Sequence, residues 1–291
     1  MFKGSFVAIV TPFHEDGSVN FEKFIELCNW HIEQGTDGLV VLGTTGESST
    51  MTHEEDEEVV RCAVATVKGR IPVIAGAGSN CTDTALMKSI EYEKLGVDGL
   101  LLITPYYNKA NERGMYKHFA TVADQVHTPI ILYNVPGRTS CAMTPNCVEA
   151  LSKHKNIVAL KEASGNISYV AQVARYITKE FSLFSGNDDM IVPLMSLGGS
   201  GVISVFANIC PRVCASIVHA CAQGDYVKAA AEQLKYLDLI NALFMEVNPI
   251  PVKQAMNFMG MNVGGYRLPL CEMDPANAEK LRAALSVLEG A

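Results

Sequence analysis

Short apolar runs punctuate the chain: "SFVAIV" (5–10), "GLVVLG" (38–43), "PVIAGAG" (72–78), "GLLLIT" (99–104), "PIILYNV" (129–135), "NIVALKE" (156–162), "FSLFSG" (181–186) and "GVISV" (201–205). Each is followed by an amphipathic stretch of helical period. None alternates apolar with polar residues as a strand with one wet face does, so the runs predict strands buried on both faces, in a parallel sheet interleaved with helices.

The pattern also repeats. "QGTDGLVVLG" (34–43) returns as "LGVDGLLLIT" (95–104), and "IPVIAG" (71–76) is echoed by "TPIILY" (128–133). Iterated βα units suit a closed barrel better than an open sheet, which needs a topological switch point, and no G-x-G-x-x-G follows the first strand. The expected fold is a (β/α)8 TIM barrel with a C-terminal helical extension. Helical stretches are expected near 211–222, 225–246, 249–260 and 275–289, punctuated by Pro211, Gly224, Pro249 and Pro275. The first would close a catalytic barrel of residues 1–223, leaving 224–291 as the extension. Residues 190–211 carry no charge, but Pro193, Gly198, Gly199, Gly201 and Pro211 break them into pieces too short to span a bilayer, and they read as helix, turn and buried strand.

Composition narrows the function classes. The 291 residues are 48% hydrophobic and 19% charged, ordinary for a globular protein with a large core. The net charge is −8 and the basic residues are scattered, which speaks against nucleic acid as a partner. Nine cysteines at irregular spacings, behind an N-terminus without a signal-peptide h-region, predict reduced thiols in the cytoplasm. Cys210, Cys214, His219 and Cys221 crowd one segment but lack the C-x-x-C spacing of a zinc site and read as small buried helix residues. The acidic run Glu54 to Glu58 reads as a helix start, with Thr52 and Glu55 forming a capping box and the acids complementing the macrodipole.

In a barrel of this kind, reactive groups stand at the C-terminal ends of strands. Those positions hold Thr11, Thr44 and Thr45, Tyr106 and Tyr107, Tyr133, Lys161, Gly186 and Asn187, and Ser204. No pair of histidines is among them, which disfavours a metal-dependent aldolase or hydrolase. Lys161 ends a greasy strand, and period two puts Glu162 on the opposite face, where it need not neutralise the amine. Two readings are open. Buried in the barrel, the amine loses its proton more easily than a free lysine at about 10.4 and can attack a ketone to form a Schiff base. Alternatively, it snorkels out to a carboxylate of the helix layer. The "GTTGES" turn offers two hydroxyls and adjacent amides to a small carboxylate, Tyr133 a phenol for proton transfer, and Arg138 a bidentate fork for a second carboxylate. The glycines of "LGGSGVIS" precede the eighth strand and read as a tight turn on the stability face, not as a phosphate loop.

"GTTGES", "TPYYNK", "YNVPGRT", "ALKEASGN", "SGNDD", "GGSGVIS" and "NPIPVK" together resemble the dihydrodipicolinate synthase family, within the pyruvate-dependent Schiff-base aldolases, over essentially the whole chain. The resemblance implies that Lys161 condenses with pyruvate and that the enamine attacks L-aspartate 4-semialdehyde, giving 4-hydroxy-tetrahydrodipicolinate on the way to diaminopimelate and lysine. It implies a proton relay of Tyr133, Thr45 and Tyr107, the last from a neighbouring subunit. Thr44 and Thr45 would hold the pyruvate carboxylate, Arg138 the semialdehyde carboxylate, and Gly186 and Ile203 would line the pocket through their backbone. It implies a homo-oligomer, a tetramer built as a dimer of dimers, with no metal or organic cofactor. Ser48, Ser49, His53, Asn80 and Tyr106 fall where many members bind inhibitory lysine. Asp56 and Thr84 depart from the sensitive pattern of histidine and glutamate, and Thr84 lacks the acid that would pair with the effector's amino group, so weak or absent feedback is expected. A sister lyase acting on a sugar acid such as N-acetylneuraminate shares the lysine and tyrosine but typically lacks the arginine of "PGR". A non-catalytic pyruvate-binding barrel is the remaining alternative.

Overall fold

In a computed structural model describing residues 2–288, the eight apolar runs become eight parallel strands closed into a barrel. They are β1 (Gly4–Ala8), β2 (Gly38–Val41), β3 (Val73–Gly76), β4 (Gly99–Ile103), β5 (Ile130–Asn134), β6 (Ile157–Glu162), β7 (Ser182–Ser185) and β8 (Gly201–Ser204). Closure is made by β8 pairing back to β1, with Gly4 opposite Gly201 and Phe6 opposite Ile203.

Alternation along each strand divides the core in two. Phe6, Val40, Ile74, Leu101, Ile131, Tyr133, Ala159, Phe184 and Ile203 fill the barrel interior. Their neighbours Val7, Leu39, Val41, Leu100, Leu102, Leu132, Leu160 and Val202 face the helices in a larger outer core. Phe6 meets Phe184 edge to face across the interior at 5.7 Å, so the lower barrel is packed and only its upper end can be open. The glycines of "LGGSG" lie at the lower end: a Cβ on Gly201 would stand 1.9 Å from the Gly4 carbonyl oxygen, so close strand approach requires glycine there.

The stretch 190–211 forms a helix, Ile191–Ser196, a turn and β8. No described helix is long and apolar enough to cross a membrane. The helix Pro211–Ala222 packs against β1 and β8, followed by helices at Tyr226–Lys235, Leu237–Ala242, Ile250–Phe258 and Pro275–Leu285. The single helix expected over 225–246 is broken at Tyr236, whose buried ring turns in to lie 5.8 Å from that of Phe206. Of the helix expected over 275–289, residue 289 lies outside the described residues, as do residues 1, 290 and 291 of the two expected units. Thr52 and Glu55 form the reciprocal capping box at the start of helix His53–Val67. Asp56 does not stay with the solvated acids; it turns inward to the Lys88 ammonium at 2.6 Å.

Candidate active site

Lys161 stands one residue from the end of β6, in register with Tyr133 of β5 and Phe184 of β7. Its side chain points into the barrel, with Nζ 4.3 Å from the centre of the Tyr133 ring, and does not snorkel outward. Glu162 takes the opposite face, as period two requires, and accepts from Asn134 Nδ2 at 2.7 Å and the Ser164 amide at 2.6 Å. Among the described residues the ammonium therefore has no direct carboxylate partner, and desolvation lowers the amine to about 7. The Asp188 carboxylate pulls the other way and the Arg138 guanidinium adds to the lowering. At neutral pH about half of such amines are free to act as nucleophiles.

Gly186, just past β7, makes room for this lysine. A Cβ there would stand 3.0 Å from Lys161 Cε and 2.6 Å from Ala163 Cβ, so any side chain at 186 would push the lysine off its line. The Gly186 amide is taken by the Glu162 carbonyl at 2.7 Å. Ile203 lies in the packed interior near β8's end.

A cavity of about 310 Å³ is lined among others by Thr44, Gly76, Leu101, Tyr133 and Arg138, and the Lys161 amine lies against the ring of its Tyr133 wall. Burial raises the Tyr133 phenol, opposed by Arg138 and by a hydrogen bond with the Thr44 side chain. The two threonines of the turn are placed differently. Thr44 is the hydroxyl beside Tyr133, whereas Thr45 is buried with its Oγ1 accepting from Asn248 Nδ2 at 3.0 Å. The cause is the tight 3-10 turn Thr44–Gly46, which sends successive side chains in different directions, one over the cavity and one back towards the C-terminal helices. Arg138, in the short helix Pro136–Thr139, lines the same cavity and donates from NH2 to the Asn248 carbonyl at 3.2 Å.

Tyr107 is not in the cavity of this single chain: it is 90% exposed, with φ +71°, on the loop after β4. Tyr106, Ser48 and Ser49 line the outer part of the cavity together with Lys88. His53 is bound to Glu91 at 2.6 Å, and the Asn80 carbonyl accepts from Asn108 Nδ2 at 2.9 Å, so these two are engaged within the chain.

Two residues with no assigned role in the sequence reading belong to the site. Asp188 is buried and accepts from Ser204 Oγ at 2.5 Å and from the Val205 and Phe206 amides at 3.1 and 3.0 Å. Burial raises its carboxyl, while those three donors favour the anion. Asn248 joins the Thr45 turn to Arg138, contacts spanning 203 and 110 residues. Both lie in the motifs "SGNDD" and "NPIPVK", the only signal the sequence offered.

A sequence profile of the dihydrodipicolinate synthetase family matches residues 1–288. A protein of Thermoanaerobacter sp. strain X514, named 4-hydroxy-tetrahydrodipicolinate synthase, is 54% identical over 98% of this chain and 96% of its own length. Among solved structures, a dihydrodipicolinate synthase from Acinetobacter baumannii complexed with pyruvate superposes with a TM-score of 0.97 at 40% identity, covering 99% of each chain. The enzyme from Cyanidioschyzon merolae with lysine bound gives 0.96 at 39% identity over 99% of this chain and 98% of its own.

Proposed function

The chain belongs to the dihydrodipicolinate synthetase family, and from that premise we propose that it condenses pyruvate with L-aspartate 4-semialdehyde to 4-hydroxy-tetrahydrodipicolinate, through a Schiff base on Lys161. The observation that carries the reading is a fully desolvated amine, poised at about 7, against the ring of Tyr133, which with Thr44 lines the cavity. The Lys161 amine adds to the C2 carbonyl of pyruvate, and the carbonyl oxygen leaves as water after two proton transfers. Loss of a C3 proton gives the enamine, which attacks the semialdehyde carbon; the substrate's own amino group then displaces Lys161 from C2 and closes the ring. The pair of the broken C2–N bond returns to the Lys161 nitrogen, which takes up a proton and is again the amine, so nothing is oxidised or reduced.

Tyr133 and Thr44 are the proton carriers beside that nitrogen, and the "GTTGES" turn holds the pyruvate carboxylate through the Thr44 hydroxyl and the backbone amides of Thr44 and Thr45. Arg138 offers its fork to the semialdehyde carboxylate, while Gly186 and Ile203 shape the floor. Tyr107, standing 90% exposed on one chain, completes the relay in a neighbouring subunit of a homotetramer built as a dimer of dimers. Nine unpaired cysteines suit a reducing cytoplasm. The test is a coupled assay with pyruvate plus aspartate semialdehyde beside N-acetylneuraminate cleavage: turnover is expected in the first only, and cleavage of the sugar acid would contradict the reading.

The buried Asp188 side chain raises the Lys161 amine, so its removal has a defined sign. Asp188→Asn lowers the amine's pKa further and leaves more free base in mild acid. The acid limb of kcat/KM for pyruvate, expected near pH 7 in the parent, moves down by roughly one pH unit. A limb that stays or moves upward would count against the role.

Weak or absent inhibition by L-lysine is expected. The Asp56 carboxylate is already bound by the Lys88 ammonium, which lines the outer cavity with Ser48, Ser49 and Tyr106, and His53 is held by Glu91. An incoming ammonium group meets a resident one, and Thr84 supplies no acid. Initial rates measured across a lysine titration check this, and inhibition at modest lysine would refute it.

A further inference from the structure

Lys161 is not the only lysine buried in this chain. Lys253, in helix Ile250–Phe258, is fully enclosed: its Nζ donates to Glu47 Oε1 at 2.8 Å and to the Thr11 carbonyl at 3.1 Å. It lies 4.3 Å from the centre of the Phe13 ring and 5.5 Å from that of Tyr266. An ion pair this deep is poor evidence for stability, because desolving two charges offsets most of their attraction and an apolar pair of similar size serves the core as well. What the pair holds is more telling. Glu47 has φ +55°, an uncommon conformation for a residue with a side chain, and it joins the turns Thr44–Gly46 and Ser48–Thr50.

Several contacts fix that residue and its turn. The Arg267 amide approaches Glu47 Oε2 at 3.4 Å, while the Arg267 guanidinium grips Glu55 with two bonds of 2.6 Å and the Thr50 carbonyl at 3.1 Å. Thr11 Oγ1 donates to the Gly46 carbonyl at 2.7 Å, and Asn248 Nδ2 reaches Thr45. The threonine turn is thus held from behind by residues 248–267 as much as by the barrel strands that precede it.

We infer that Lys253 and Glu47 are positioning residues for the keto-acid substrate: their pairing holds the left-handed residue that aims the Thr44 hydroxyl and the backbone amides of its turn at the substrate carboxylate. The inference rests on the reading above that this turn binds pyruvate. It makes the C-terminal helices part of the binding device, acting through Glu47 rather than by contact.

The test is the double variant Glu47→Gln/Lys253→Met, which removes both charges together and leaves neither unpaired. Its thermal unfolding is expected close to the parent's, while KM for pyruvate rises by about 10- to 100-fold, as expected when a binding group is displaced by a fraction of an ångström to an ångström. Borohydride trapping on Lys161 then needs correspondingly more pyruvate, and the acid limb of the pH profile stays where it was. A stable double variant with parental KM and parental trapping overturns the inference, since a purely structural pair would behave so. If the double variant does not fold, Glu47→Asp alone, whose shorter side chain cannot reach Lys253 unless the turn moves, is read in the same way. Failure of the parent itself to be trapped by pyruvate overturns the underlying reading, and the inference with it, and is distinguished by appearing before any substitution is made.

Discussion

Lys161→Met is expected to lower turnover by about 10³-fold or more, while the folded protein becomes more stable at neutral pH and below. The first half follows from covalent chemistry: no other described lysine lies against the Tyr133 ring. The second half follows from linkage. The amine sits at about 7 in the folded chain against 10.5 for an ordinary lysine, so between those values the unfolded chain binds more protons. Stability therefore rises with pH from about 7 to about 10.5, and below pH 7 the buried amine carries its full penalty, on the order of 5 kcal/mol. Met fills a similar volume without that penalty, so the variant's stability loses this rise with pH and exceeds the parent's most in mild acid. Denaturant unfolding of both proteins at pH 6 and pH 9 checks it; a variant less stable than its parent at pH 6 would contradict the burial argument.

The second large effect belongs to Arg138. Arg138→Ala should cut kcat/KM for the semialdehyde by about 10²- to 10³-fold, as loss of a charge-assisted, two-pronged carboxylate contact does, while pyruvate still forms its imine on Lys161. Part of the loss comes from Asn248, whose carbonyl accepts from Arg138 and whose amide donates to Thr45; without the guanidinium that carbonyl loses its donor beside the threonine turn. Steady-state kinetics in both substrates separates the effects: a large change for the semialdehyde with a small rise in KM for pyruvate. Unchanged turnover of the semialdehyde would favour a sister activity.

The strands were legible because strands buried on both faces must be apolar throughout, and all eight runs, "SFVAIV" through "GVISV", lie where β1 to β8 are found. Lys161 was legible for the same reason, as the one cation ending such a run. The distinction between Thr44 and Thr45 was not, because it depends on how a three-residue 3-10 turn rotates adjacent side chains, and residue identity does not encode that rotation. Asp188 and Asn248 escaped too. Each acts through partners set by closure of the barrel or by docking of the C-terminal segment, as with the 203 residues between Asn248 and Thr45, and such contacts leave no local period. The same holds for Lys253 and Glu47, 206 residues apart, and for Tyr236, whose burial against Phe206 interrupts a stretch with helical pattern on both sides.

The central claim is that the Lys161 amine, shielded from water and charged only part of the time, bonds covalently to pyruvate. Reduction with borohydride in the presence of pyruvate, followed by peptide mass spectrometry, tests it most directly. The account predicts a single reduced pyruvyl adduct on Lys161, with none on the other buried lysine, Lys253. No adduct, or an adduct at a different side chain, would contradict it.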